Sequence, residues 1–240
     1  MSDAAGRDLA IEPLGETALL LRFGKGLDPA VTARVHTAAA ALRAAQLPGL
    51  VDLAPAYATL ALHYEPVAWL EGNGSQPWRT FEAAVRAVLG TPPAEETPAP
   101  RVVEVPVCYG GDFGPDLDAL ASHAKLAASD VIARHTAATY TVAMLGFAPG
   151  FPYLFGLDSA LEMPRRASPR TRVPAGSVAI GGAQTGIYPS ELPGGWQLIG
   201  RTPLALFDAR RDPPSLLMPG DRVRFVAIDA AALAVRGAHA

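Results

Sequence analysis

The sequence of 240 residues predicts an α+β N-terminal domain followed by a mainly β barrel domain. Two observations predict this order. The N-terminal part alternates apolar runs of strand length with runs of helical period, whereas the part after residue 139 consists of short apolar segments separated by glycine and proline turns. Between them lies TPPAEETPAP, residues 91–100, which has no apolar periodicity. We therefore expect a domain over residues 1–92, a linker over 93–100 and a second domain over 101–240.

Three strands and two helices are predicted in the N-terminal domain. Apolar runs of strand length occupy residues 18–23, 50–57 and 59–64. Asp28 is placed to cap a helix that has a proline in its first turn, and residues 78–89 repeat the helical period. The apolar faces of the two helices are formed by Val31, Val35, Ala38 and Leu42 and by Phe81, Val85 and Leu89. This order suits helices on one face of an antiparallel sheet.

The second domain is predicted to begin with a strand over residues 102–107 and two short helices. The second of these helices runs from Ser129 to about His135, and Asp130 in its first turn suits the positive end of the helix dipole. A strand over residues 139–146 follows. Further short strands are expected at residues 177–180, 186–188, 196–199, 204–207 and 222–228.

Composition argues against several classes of protein. The net charge is −3, so no overall charge favours nucleic acid or an anionic membrane, and neither is expected as a partner. Cys108 is the single cysteine, which excludes an internal disulfide and suits a small buried residue in a reducing compartment. The first residues, MSDAAGRD, lack the apolar region of a signal peptide, and no segment reaches the length of a membrane span. We expect a cytoplasmic protein.

Residues 146–204 are the most informative segment of the chain. This segment holds ten of the 23 glycines and eight of the 23 prolines, so its backbone turns repeatedly. Its basic residues are all arginines, whose planar forks match carboxylates and phosphates. They are Arg165, Arg166, Arg170, Arg172 and Arg201. Two interpretations remain open: a shaped surface for a small anion, or a barrel with many hairpins and a solvated basic loop.

Several long motifs resemble the family of the 5-oxoprolinase B subunit, which is also described as allophanate hydrolase subunit 1 and includes a Kip-type inhibitor of a histidine kinase. The resemblance covers nearly the whole chain. It rests on LGFAPGFPYL (145–154), PRRASPRTRVPAGSVAIGGAQTGIYP (164–189) and PGGWQLIGRTPLALFD (193–208), with further matches at PLGETALLLRFG (13–24), PGLVDLAPAYATLALHYEP (48–66) and VCYGGDFGPDLDALA (107–121).

The resemblance implies a cyclophilin-like barrel and a role in ATP-dependent opening of 5-oxo-L-proline to L-glutamate. ATP would be a co-substrate, with magnesium. The implied partners are the C subunit of 5-oxoprolinase, an allophanate hydrolase subunit 2-type protein, and its A subunit, a LamB/YcsF-type protein. Two alternatives stay open. One is a binding protein that inhibits a sensor histidine kinase, and the other is a carboxyltransferase-related subunit of urea or allophanate metabolism.

His135 is the candidate for a general acid or base, supported by its place within the family pattern. The alternative is a structural histidine that interacts with the negative end of its helix. Gln184 and Tyr188 are spaced to share one face of a strand, where they offer neutral hydrogen-bonding groups to a lactam. We expect the substrate- or nucleotide-binding residues at the barrel mouth. The candidates are Phe151, Tyr153, Arg165, Arg166, Arg170, Arg172, Gln184, Tyr188 and Arg201.

The sequence lacks several familiar catalytic motifs. It contains no Walker-type phosphate loop, no spacing of His, Cys, Asp and Glu typical of a zinc or calcium site, and no nucleophile elbow. We therefore expect an incomplete active site that other subunits complete, and a chain that is inactive alone.

Overall fold

The computed structural model describes residues 9–70, 76–91 and 100–237. Contacts within the chain divide it into two compact units, with the division between residues 99 and 100. The predicted linker, residues 93–100, lies outside the described residues except for Pro100, so the domain boundaries stay a prediction. No helix in these three described ranges is long and apolar enough to cross a membrane.

The first unit is a four-stranded antiparallel sheet with two helices, in the strand order β1-β2-β4-β3. The strands are β1 Ala10–Pro13, β2 Ala18–Arg22, β3 Leu50–Pro55 and β4 Thr59–Tyr64, and the helices are α1 Pro29–Ala45 and α2 Pro77–Gly90. Asp28 caps α1 as predicted, because its carboxylate accepts a hydrogen bond of 2.8 Å from the backbone N–H of Ala30. The strand β1 was not predicted from the sequence.

Alternation along the strands explains why both helices pack on one face of this sheet. Leu19, Leu21, Leu60 and Leu62 are fully buried, whereas the residues between them are more exposed. The buried leucines share one core with both helices, and Phe81 of α2 stacks on Tyr64 at 4.4 Å between ring centroids.

The second unit contains a closed barrel of seven strands in the order β10-β7-β6-β13-β5-β12-β9, which confirms the predicted barrel. The barrel strands are β5 Val102–Tyr109, β6 Thr139–Leu145, β7 Pro152–Phe155, β9 Ser177–Gly181, β10 Gln184–Ile187, β12 Gln197–Arg201 and β13 Arg222–Ile228. Two further strands, β8 Arg170–Val173 and β11 Leu192–Gly194, form a separate antiparallel pair. The helices of the second unit are α3 Leu117–Ala124, α4 Ala128–Ala137 and α5 Ala230–Gly237. The cyclophilin-like description stays a prediction.

One predicted strand of this unit is wrong. Residues 204–207 form only an isolated bridge between Phe207 and Ser215. Pro203 precedes the segment and lacks the N–H that a ladder needs, so β12 ends at Arg201.

Candidate functional site

Four neighbouring barrel strands present one continuous outer face. Val178, Ile180, Ile187 and Leu154 belong to the barrel core, so the residues that alternate with them point outwards. Across the strands, Tyr153 lies opposite Gly186, Gly186 opposite Ala179, and Ala179 opposite Leu198. In the next row Ser177 lies opposite Arg201 and accepts a backbone hydrogen bond from Tyr188. We call this surface, with the groups packed over it, the outer face.

The outer face gathers most of the predicted site residues, although not at an open end of the barrel. Tyr153, Gln184, Tyr188 and Arg201 share it by strand register. Gln184 is buried there, on the same side of β10 as Gly186. Strand register places these side chains on the side of the barrel, and their role in binding stays a prediction.

An aromatic cluster fills the middle of this face. The ring of Phe151 lies edge-on to those of Tyr188 and Trp196, at centroid distances of 5.2 and 5.6 Å. Glycine is required beneath two of these rings, because a Cβ atom at Gly181 would lie 2.6 Å from the Trp196 ring and one at Gly186 would lie 3.1 Å from that of Phe151. At these two positions glycine is needed so that the rings can pack closely, and not because the backbone turns there.

Two of the predicted binding residues are packing residues in this structure. Phe151 and Tyr188 are each only 2% exposed, and Val173 of β8 packs against the same cluster. Burial raises the pKa of Tyr188, while a hydrogen bond from the backbone N–H of Trp196 to its hydroxyl partly offsets this rise. A ligand meets these rings only if the groups above them move.

The accessible rim of the cluster is formed by Phe147, Tyr153 and Arg165. Phe147 is 60% exposed and lies edge-on to Phe151 at 5.4 Å between centroids. Arg165 is exposed, and its Cζ lies 5.6 Å from the centroid of the Trp196 ring, a cation–π contact. Burial raises the pKa of the half-buried Tyr153, and the charge of Arg165 acts in the opposite direction.

Asp116 anchors the arginine loop, although no sequence pattern pointed to it. Its Oδ1 accepts hydrogen bonds from Arg170 Nη2 at 2.8 Å and Arg166 Nη1 at 3.3 Å. Its Oδ2 accepts from the backbone N–H of Leu198 at 2.7 Å, and its own N–H donates to the carbonyl of Leu198 at 2.9 Å. The side chain is 7% exposed, so one buried carboxylate ties β8 and the loop before it to β12.

The remaining arginines of the segment differ in the groups that their guanidinium contacts. Arg172 points into solvent, 78% exposed, and pairs with Glu191 at 2.7 Å. The guanidinium of Arg201 lies over Phe113 at 5.4 Å. Over the described part of the chain, no carboxylate forms an ion pair with Arg165. Arg166 and Arg170 therefore share a single carboxylate, Asp116, and Arg165 beside them in the sequence pairs with none in the described chain, which leaves local positive charge for an anion.

His135 lies in the barrel interior rather than on the outer face. It is fully buried on α4, and its ring contacts side chains of the neighbouring strands β13 and β5 and of β10, which is not adjacent to them in the barrel. Tyr109 Oη lies 2.8 Å from its Nδ1, and Thr185 Oγ1 lies 3.1 Å from its Nε2. Both ring nitrogens are thus occupied by hydrogen-bonding partners.

The hydrogen-bond network fixes the protonation of this histidine. The hydroxyl of Thr185 donates to the carbonyl of Ala179 at 3.0 Å, so Thr185 Oγ1 accepts from Nε2–H of His135. Nδ1 then accepts from the hydroxyl of Tyr109. Burial lowers the pKa of His135 to about 3, which keeps the ring neutral at pH 7. This arrangement is that of a structural histidine, and a catalytic role for His135 stays a prediction.

Potential metal ligands are dispersed over the described chain. In residues 9–70, 76–91 and 100–237, no group of three or more His, Cys, Asp or Glu side chains is arranged to hold a metal ion.

Comparison with known proteins shows what this chain is similar to. Residues 9–217 match the family model described as carboxyltransferase domain, subdomain C and D. The chain is 45% identical over 221 residues to the 5-oxoprolinase B subunit of Bacillus subtilis, which covers 91% of this chain and 92% of that protein. It is 43% identical to the 5-oxoprolinase B subunit of Escherichia coli O157:H7, over 89% of this chain and 93% of that one.

A solved structure agrees with these sequence relatives. The crystal structure of TTHA0988 superposes with a TM-score of 0.76 at 42% identity. The match covers 89% of this chain but only 40% of TTHA0988, so this chain corresponds to less than half the length of that protein.

Proposed function

Because this chain belongs to the family of the 5-oxoprolinase B subunit and to the carboxyltransferase-domain family, we propose that it is one subunit of an ATP-dependent 5-oxoprolinase. The complex opens 5-oxo-L-proline to L-glutamate. The observation that carries this proposal is the 45% identity to a named B subunit over 91% of the chain. The local positive charge of the outer face supports it, because the substrate carries a carboxylate.

The proposed reaction uses ATP to activate a poor electrophile. Transfer of the γ-phosphoryl group to the amide oxygen releases ADP and makes the amide carbon electrophilic enough for water to attack it. One water then adds to this carbon, and the C–N bond breaks with its electron pair on nitrogen, which takes up a proton and becomes the amine. The product of ring opening is an acyl phosphate, which a second water hydrolyses to the carboxylate and inorganic phosphate. The balance is one ATP and two waters consumed for one glutamate, one ADP and one phosphate.

In this proposal the active site is shared between subunits. This chain supplies arginines for the substrate carboxylate, and its sequence has no Walker-type loop. The other parts are assigned to a C subunit of the allophanate hydrolase subunit 2 type and an A subunit of the LamB/YcsF type. ATP would enter as a co-substrate with its magnesium ion, which would stabilise charge on the transferring phosphoryl group.

Reconstitution tests this proposal. The isolated chain is expected to fold and to form no appreciable glutamate from 5-oxo-L-proline and ATP, whereas the mixture with both companion subunits forms glutamate and ADP. The measurement is glutamate release with and without ATP, and the control omits this chain alone. Full turnover by the isolated chain would contradict a shared site, and an equal rate when this chain is omitted would contradict its role in the complex.

The match to a carboxyltransferase-domain model favours a second candidate function, which is a role as a subunit in urea or allophanate metabolism. The same assembled complex distinguishes the two. Ammonia release from allophanate, together with no glutamate from 5-oxo-L-proline, would replace the first proposal. Inhibition of a histidine kinase stays a prediction.

A further inference from the structure

Phe147 combines two properties that are unfavourable for a phenylalanine. Its φ is 69°, in the left-handed region where a side chain with a Cβ atom is strained. The residue is 60% exposed, although the neighbouring Phe151 and Tyr188 are 2% exposed. A bulky aromatic residue at positive φ is rare, and such outliers persist where the surroundings impose them, often at sites of function.

The turn around Phe147 imposes this conformation. The N–H of Gly146 donates to the carbonyl of Phe151 at 3.1 Å, that of Ala148 to Gly146 at 2.8 Å, and that of Phe151 to Ala148 at 3.0 Å. Gly150 has a φ of 80°, and a Cβ atom there would lie 2.8 Å from Cβ of Phe207. The turn is therefore held from both ends, and the side chain of Phe147 is presented to solvent.

A line of ring contacts connects Phe147 to the guanidinium of Arg165 on the outer face. Phe147 lies 5.4 Å from Phe151, Phe151 lies 5.6 Å from Trp196, and Arg165 lies 5.6 Å from Trp196. Each of these rings meets its neighbour edge-on, so the exposed part of the cluster offers an apolar ring at one end and a guanidinium at the other. A small cyclic carboxylate can present a face of its ring to the former and its anionic group to the latter.

We propose that Phe147 is a ligand-contact residue that covers the ring of a small cyclic carboxylate while Arg165 binds its carboxylate. This inference rests on the proposed function, in which that ligand is 5-oxo-L-proline. Phe147 acts by excluding water from one face of the ring and by positioning it, and no bond is made or broken at Phe147. Neither burial nor backbone preference accounts for phenylalanine at this position, whereas ligand contact does.

The test replaces Phe147 with glycine, which accepts a positive φ. In the assembled complex, Phe147→Gly is expected to raise KM for 5-oxo-L-proline about tenfold, because the ring of the lactam loses the apolar surface that covers one of its faces. The melting temperature is expected to stay the same or rise, because the strain is relieved. The control is Lys125→Gly, which relieves the same strain at φ 55° after α3 and is expected to leave KM unchanged.

Three outcomes in the assembled complex would contradict the inference. An unchanged KM overturns it, and a lower melting temperature with equal losses of kcat and kcat/KM would make Phe147 a structural residue. Loss of assembly with unaltered binding of 5-oxo-L-proline would make it a contact for another subunit. If the complex with the natural chain forms no glutamate, the proposed function fails. Calorimetry with 5-oxo-L-proline then decides separately: weaker binding to Phe147→Gly supports the contact, and equal or absent binding overturns it.

Discussion

Asp116→Ala is expected to destabilise the barrel-containing unit by about 3 kcal/mol, since it removes a buried carboxylate that is fully hydrogen-bonded. Arg166, Arg170 and the backbone N–H of Leu198 would all lose their acceptor. Because Arg166 and Arg170 would no longer be tied to this carboxylate, the arginine loop is also expected to lose its fixed position. Urea unfolding, followed for the transition of this unit, measures the change in the free energy of unfolding.

The control for Asp116 is an exposed ion pair that also involves an arginine of β8. Glu191→Ala removes the ion pair with Arg172, in which both side chains are more than half exposed. Such a pair contributes about 0–1 kcal/mol. If Asp116→Ala and Glu191→Ala cost the same, Asp116 does not anchor the loop.

His135→Ala is also expected to cost about 3 kcal/mol, because it leaves a cavity and deprives Tyr109 and Thr185 of their partner. A pH dependence separates this structural role from catalysis. The pKa of His135 is about 3 in the folded chain and lies near 6.5 when the chain unfolds, so between these values the unfolded state binds the extra proton. The stability that the neutral ring contributes is therefore full above about pH 6.5 and is lost as the pH falls towards 3.

His135→Gln tests the pH dependence without emptying the site, since glutamine offers one donor and one acceptor but does not titrate. The melting temperature of this variant is expected to fall less steeply between pH 7 and pH 4 than that of the natural chain. Parallel curves would contradict the burial of a neutral histidine. A variant that keeps its stability at every pH but loses all glutamate formation would instead support the general acid or base role.

Local sequence signals were sufficient for most of the secondary structure. Asp28 with a following proline predicted the start of α1, and apolar segments between glycine and proline turns predicted the barrel. The strand β1 was missed because AIEP is short and half of its pattern is polar or proline. The strands β7, β8 and β11 were missed because strands of three or four residues leave almost no periodicity.

The candidate site was predictable in composition but not in arrangement. The arginine-rich segment showed which residues carry charge. Whether each arginine is paired or free to bind a ligand depends on carboxylates that lie far along the chain. Arg170 meets Asp116 across 54 positions, and Arg172 meets Glu191 across 19. Asp116 occupies the N-cap position of α3 in the structure, and no local sequence pattern showed that its carboxylate contacts β8 and β12.

The role of His135 also could not be decided from its local sequence. Its position near the end of a helix and before a strand was compatible with a catalytic and with a structural role. The partners that distinguish the two come from β5 and β10, which are separated from it by 26 and 50 positions. Barrel closure brings these strands together, and closure is a property of the whole sheet that no single segment carries.

Binding of the substrate carboxylate by Arg165 on the outer face of the barrel is tested most directly by KM for 5-oxo-L-proline in the assembled complex. The variant is Arg165→Ala, with Arg172→Ala as the matched control from the same segment. Charge-assisted hydrogen bonds contribute about 1.5–3 kcal/mol, so Arg165→Ala is expected to raise KM by about tenfold or more while kcat changes little. Arg172→Ala is expected to leave both constants unchanged, because its guanidinium points into solvent. Equal KM values for the two variants and the natural chain would contradict this role of Arg165.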